Sequence, residues 1–158
     1  MKNIAIILVI IVCSIYLIYL IYSTNTAYYF NLENFTSVSV GLNGENIELT
    51  GGCYKISFAV TQDQMMSLQT ALTGLYYSRP LTHDLMKDVF DDFNIEVLLV
   101  EIDEYKDETY QARLFIRQNN KILNLDSRPS DAINIAVRYK KPIYVSTKIM
   151  EERGEIIC

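Results

Sequence analysis

IEVLLVEIDEYKDETYQARLFIRQNNKILNLDSRPSDAINIAV, residues 95–137, holds two different periodicities in one stretch. Residues 95–103 are rich in Val, Leu and Ile, and Tyr110, Ala112, Leu114 and Ile116 alternate with Gln111, Arg113, Phe115 and Arg117. Period two is the pattern of strands whose two faces differ. Asn119-Asn120 turns the chain into a third strand over residues 122–126, so three sequential, antiparallel strands are expected. Pro129 then stands where a helix begins, because the first helical N–H has no intrahelical partner to lose. Its cap is Ser127 or a neighbour, and Ala132, Ile133, Ile135, Ala136 and Val137 leave it apolar nearly all round, as a buried helix is.

Working outward, Val38 and Val40 alternate with serines, Asn43-Gly44 is a hairpin-turn dipeptide, and residues 47–49 and 54–60 continue a meander. Thr61 followed by Gln64 forms a capping box for a helix carrying Met65, Met66, Leu68, Leu72 and Leu75, all expected in the core, up to Gly74. Thr82 caps a second helix, with Asp84 in its first turn and Leu85, Met86, Val89, Phe90 and Phe93 forming its inner face. Beyond residue 137, residues 142–145 form a short final strand and residues 146–153 a short helix before a frayed end. The fold class is α+β, with helices packed on a mainly antiparallel sheet.

Residues 4–22 have Ser14 as their only clearly polar side chain, and nineteen helical residues at about 1.5 Å each match a hydrocarbon core of roughly 30 Å. The reading is one N-terminal transmembrane helix, retained rather than cleaved as a signal peptide, since the apolar run exceeds the usual signal length. Lys2 precedes it and the next basic residue is Lys55, which orients the N-terminus to the cytoplasm and the globular part outside. The chain thus divides into an anchor (1–23), a linker (24–34), a domain (35–150) and a tail (151–158). With 158 residues, half of them apolar, there is room for one such domain, and collagen-like or disordered classes are excluded. All nineteen acids and thirteen of the fourteen bases follow residue 30, so no electrostatic funnel for nucleic acid is visible. Three cysteines, one of them inside the apolar run, supply neither a disulfide framework nor a four-ligand zinc site.

No phosphate loop, zinc-protease helix or nucleophile elbow occurs, and His83 is the only histidine, so no hydrolase triad is announced. Two polar blocks stand out: Arg79-Pro80-Leu81-Thr82-His83-Asp84 and Asp126-Ser127-Arg128-Pro129-Ser130-Asp131. Each sets an arginine and carboxylates at a helix start, where unpaired amides and the positive dipole end favour anions. An arginine there binds phosphate, while an aspartate holds a divalent cation or activates water. The plainer reading is that the aspartates are caps, Arg128 pairs with Asp131 or Asp84, and His83 makes a structural hydrogen bond.

The sequence also resembles the bifunctional nuclease domain family. The resemblance rests on Arg79-Pro80-Leu81-Thr82-His83-Asp84-Leu85, Thr109-Tyr110-Gln111-Ala112-Arg113-Leu114, Asp126-Ser127-Arg128-Pro129-Ser130-Asp131-Ala132 and Pro142-Ile143-Tyr144-Val145, in that order. It spans residues 35–150 and implies activity on DNA and RNA. Together with the two helix starts, it makes Asp84, Asp126, Asp131 and His83 the candidate catalytic residues. Arg79, Arg113 and Arg128 become candidate phosphate contacts, and Asp84 and Asp131 candidate ligands of a magnesium or manganese ion. The expected partners are a membrane, nucleic acid and a second copy in a homo-oligomer. The alternative, favoured by the acidic balance, is a noncatalytic anchored binding or assembly module in which these residues form a buried polar network.

Overall fold

The computed structural model describes residues 11–19 and 30–158. Two compact units divide the chain at residue 33. In the first, residues 11–19 form helix α1, within which Ser14 Oγ donates to the Ile11 carbonyl at 2.8 Å. Among the described residues no helix is long and apolar enough to cross a membrane. Residues 4–10 and 20–22 of the expected span, and most of the linker, lie outside the described residues.

The second unit, from Asn34 to Cys158, is built on an eight-stranded sheet. Strands β1 (Phe35–Asn43), β2 (Asn46–Gly51) and β3 (Tyr54–Ala59) form the expected meander. Asn43 pairs with Asn46, so Gly44-Glu45 is the turn, and Gly44 adopts a φ of 57° that a Cβ would strain. Helices α2 (Gln62–Thr73) and α3 (Thr82–Asp92) follow. Then come β4 (Glu96–Lys106), β5 (Thr109–Gln118), β6 (Lys121–Ser127), α4 (Pro129–Arg138), β7 (Ile143–Ser146), α5 (Thr147–Arg153) and β8 (Glu155–Ile156). Strand order is β6-β5-β4-β7-β1-β2-β3-β8, antiparallel throughout except for β4 beside β7. The mainly antiparallel α+β architecture agrees with the periodicity.

The core lies where α4 crosses β4 and β5. Ile133 and Ile135 are fully buried against Val97, Val100, Ile102, Ala112, Leu114 and Ile116, each such side chain contributing about 1.5–3 kcal/mol by leaving water. Pro129 is the first residue of α4, and Arg128 rather than Ser127 holds the cap position. Thr61 and Gln64 cap α2 reciprocally as expected, and Gly74 ends it in the left-handed region. For α3 the cap position is Leu81, not Thr82, and Asp84 accepts from the Leu81 N–H at 3.0 Å.

Several expectations reverse. The helical apolar positions are not all core: Leu72, Leu75, Leu85, Met86, Val89 and Phe93 are exposed, Met65 and Met66 are half-buried, and Leu68 and Phe90 are inside. Spacing identifies a face but not what covers it. The end of the chain does not fray: β8 pairs with β3, and Cys158 forms a disulfide with Cys53, their Cα atoms 5.2 Å apart. Two of the three cysteines therefore do cross-link, 105 residues apart in sequence. Cross-linking so long a loop restricts the unfolded chain, so Cys158→Ser is expected to cost about 2–4 kcal/mol in thermal unfolding compared with the oxidised parent.

Candidate functional site

The two polar blocks converge because α3 and α4 pack together through polar side chains. On α4, Asp131, Asn134 and Arg138 lie three and four residues apart and so share one face. Arg138 is the centre. Its side chain is 5% exposed; Nε donates to Asp84 Oδ1 at 2.8 Å, Nη1 to Asn134 Oδ1 at 2.9 Å, and Nη2 to Ser67 Oγ at 3.1 Å. Burial pushes the Asp84 carboxyl up, but the Arg138 hydrogen bond, the Leu81 N–H and the Arg138 charge outweigh it and leave it below the ordinary carboxylate value. Asp84 is thus a support for α3, turned to a guanidinium within the fold.

The network continues outward through His83. A guanidinium only donates, so Ser67 Oγ accepts from Arg138 and its own hydrogen is left for His83 Nδ1, 2.8 Å away. His83 then carries its proton on Nε2 and donates to Asp131 Oδ1 at 3.3 Å. Desolvation first, and then the Arg138 charge, push the imidazole below its ordinary value and keep it neutral. Because that folded value lies below the unfolded one of about 6.5, His83 adds stability above pH 6.5 that is lost as pH falls through its folded value. Urea midpoints are therefore expected to decline from pH 7 toward pH 5, with a shallower decline in His83→Gln.

A serine, a histidine and an aspartate do stand in line, which the sequence did not announce. The order is not that of a hydrolase triad: Ser67 is the buried end and Asp131, 30% exposed, the open one. Both His83 ring nitrogens are engaged, so it orients Asp131. Arg128 grips both Asp131 oxygens, Nε donating to Oδ2 at 2.6 Å and Nη2 to Oδ1 at 3.2 Å, and its side chain is 72% exposed.

Arg128, with Asp126 and Ser127, forms a ridge between two clefts. One, of about 850 Å³, is walled by His83, Asp131, Ser67 and Met86. The other, of about 760 Å³, is walled by Phe58, Tyr105, Tyr110 and Gln64. Gln64, a cap of α2, donates to Ser130 Oγ at 3.0 Å across the joint. Ser127 Oγ is buried on the ridge without a hydrogen-bond partner among the described residues.

Of the residues singled out in the sequence, Asp126, Arg128, Asp131 and His83 share the first cleft. Arg79 is exposed in the 74–81 connection. Arg113 lies across the strand pair from Asp126 and is bound to Asp103. Asp84 and Asp131, expected to share a cation, each face a guanidinium instead. Among the described residues no three His, Cys, Asp or Glu side chains group as a metal site would require. Arg138, Ser67 and Asn134 were not foreseen; the signal was a polar stripe along one face of an otherwise apolar helix.

The sequence matches the Bifunctional nuclease domain over residues 50–157. It is 37% identical over 90 residues to bifunctional nuclease 2 of Oryza sativa subsp. japonica, covering 55% of this chain and 28% of the relative. To bifunctional nuclease 1 of Arabidopsis thaliana it is 39% identical over 90 residues, again covering 55% and 28%. An uncharacterized protein of Mycobacterium tuberculosis is 31% identical over 98 residues, covering 62% of this chain and 58% of that one. The match thus takes in little more than a quarter of those plant relatives.

Proposed function

The chain belongs to the bifunctional nuclease domain family, and from that premise we propose that it hydrolyses nucleic-acid phosphodiester bonds at the ridge formed by Asp126, Ser127 and Arg128. The observation that carries this reading is the exposed Arg128–Asp131 pair at the start of α4. A phosphate arriving there meets the positive end of the helix dipole and takes Arg128 as a bidentate partner. Asp131 Oδ2 is then released, while His83 still holds Oδ1. The freed oxygen accepts a proton from the attacking water as the water oxygen bonds to phosphorus and the P–O bond to the departing sugar oxygen breaks, that oxygen taking its proton from solvent; the substrate itself thus uncovers the base. The buried Ser127 Oγ supplies a further hydrogen-bonding atom on the ridge, and Arg79 extends the phosphate track from its connection.

The test is incubation of the full chain in detergent with single- and double-stranded DNA and RNA, with magnesium, with manganese and with chelator, beside Asp131→Asn. Cleavage lost in the mutant supports the reading, and the chelator arm decides the cation. Failure of a well-folded chain to cut any substrate favours the binding-module alternative, which draws on the net charge of -5 and on the ready pairing of Arg128 within the protein.

The apolar run at residues 4–22 supports membrane anchoring with the domain outside the cytoplasm, and the Cys53–Cys158 disulfide fits an oxidising compartment. An impermeant protease added to intact cells is expected to remove the domain; protection until lysis would reverse the orientation.

A further inference from the structure

The two ends of the sheet are finished differently. At one end β8 is two residues long and tied down by the adjoining disulfide, a protected edge. At the other, β6 runs seven residues with no proline, and its pairing with β5 is continuous, the register shifts lying between β4 and β5 instead. Its charges, Lys121 and Asp126, stand toward the ends of the strand, with Ile122, Leu123, Asn124 and Leu125 between them. Soluble proteins normally blunt so long an apolar edge with proline, a bulge or a central charge, and among the described residues the middle of this one has none of these.

Apolar surface continues from that edge onto α3. Leu123 and Leu125 pair with Ile116 and Leu114, whose side chains enter the core, so they occupy the helix-bearing face of the sheet. Helix α3 runs alongside: Met86 shares a cleft with Asp126 and Ser127 at one end of β6, and the Phe93 carbonyl accepts from Gln118, the partner of Lys121, at the other. Met86, Val89 and Phe93, spaced three and four residues apart, are 40–63% exposed, and Leu123 and Leu125 are 37% and 36% exposed. Among the described residues, five large apolar side chains thus form one stripe beside a strand edge that pairs with nothing, the kind of surface that marks an interface.

We propose that this edge and stripe pair with the same surface of a second copy of this chain, joining two sheets through their β6 strands about a two-fold axis. The strand itself argues for a copy rather than a foreign segment. An antiparallel pair of symmetry-related edges needs an axis normal to the sheet, which keeps both sets of helices on one side and makes a residue of β6 its own partner. Centring on Asn124 sets Leu123 opposite Leu125 twice on the helix-bearing face, Ile122 opposite Asp126 and Lys121 opposite Ser127. No charge then meets its like, and the four leucines close against the two α3 stripes. Centring on Leu123 would instead place Lys121 opposite Leu125. The Asn124 register also brings both Arg128 ridges to one side, the two Arg128 residues roughly 26 Å apart along the strands.

Full-length Cys13→Ser protein in detergent micelles, carrying Asn124→Cys, is expected to form a covalent dimer on mild oxidation, since directly opposed residues lie within disulfide reach. Ile122→Cys in the same background is not, because the two copies of that residue are roughly 13 Å apart along the strands. Leu123→Glu with Leu125→Glu is expected to turn the dimer into a monomer of unchanged circular dichroism. A parent chain that sediments as a monomer at micromolar concentration, or Ile122→Cys cross-linking as readily as Asn124→Cys, overturns the proposal.

Discussion

Arg138→Ala is expected to destabilise the domain by about 3–5 kcal/mol, a fall in Tm on the order of 10–20 °C for a unit of this size. The guanidinium joins α4 to α2 and α3 through Asp84, Asn134, Ser67 and Thr70, and almost none of it reaches water. Its removal leaves the Asp84 carboxylate, itself only 13% exposed, facing an emptied polar pocket. Because the loss is the penalty of an unpaired buried charge, adding Asp84→Ala to Arg138→Ala should cost less than the sum of the two single changes. Thermal unfolding of the two single variants and the double variant checks this. Additive losses would show that Asp84 and Arg138 act independently.

Asp131→Asn is expected to lower phosphodiester cleavage by roughly 10²–10⁴-fold, the usual worth of a positioned general base, with a Tm within a few degrees of the parent. The amide keeps the size of the side chain and an oxygen for His83 to donate to. It removes the ability to take a proton. Arg128→Ala acts at the other half of the pair and is expected to weaken substrate binding while also exposing Asp131 Oδ2. A KM rise larger than the fall in kcat is therefore expected for Arg128→Ala, and the reverse split for Asp131→Asn. If Asp131→Asn cuts as well as the parent, the base lies elsewhere on the ridge. If it fails to fold, the pair is structural and the plainer reading of the helix starts holds.

The elements were legible because their signals are local. Alternation at residues 110–117, the Thr61–Gln64 box, the Asn119-Asn120 turn and Pro129 at the first turn of α4 each report a backbone preference or the solvent contrast across one strand or helix. The cluster of Asp126, Arg128, Asp131 and His83 was legible too, through the two arginine-bearing helix starts.

What pairs with what was not. Asp84 reads identically in sequence whether it holds a cation or a guanidinium, and only the packing of α3 against α4 turns it to Arg138, 54 residues away. The same packing threads Ser67, His83 and Asp131 into one line across three helices. Apolar spacing on α3 was real, yet four of its five large side chains face outward, because helical periodicity records a stripe and not its neighbour. Cys53 and Cys158 meet because β8 closes on β3, a contact that no spacing encodes. Sequence by itself determined the strands, the helices and the polar residues at the helix starts, since these follow from short-range sterics and hydrophobic period. Tertiary structure alone decided the partner of each charge and which apolar faces were left uncovered, because both depend on residues brought together from far along the chain.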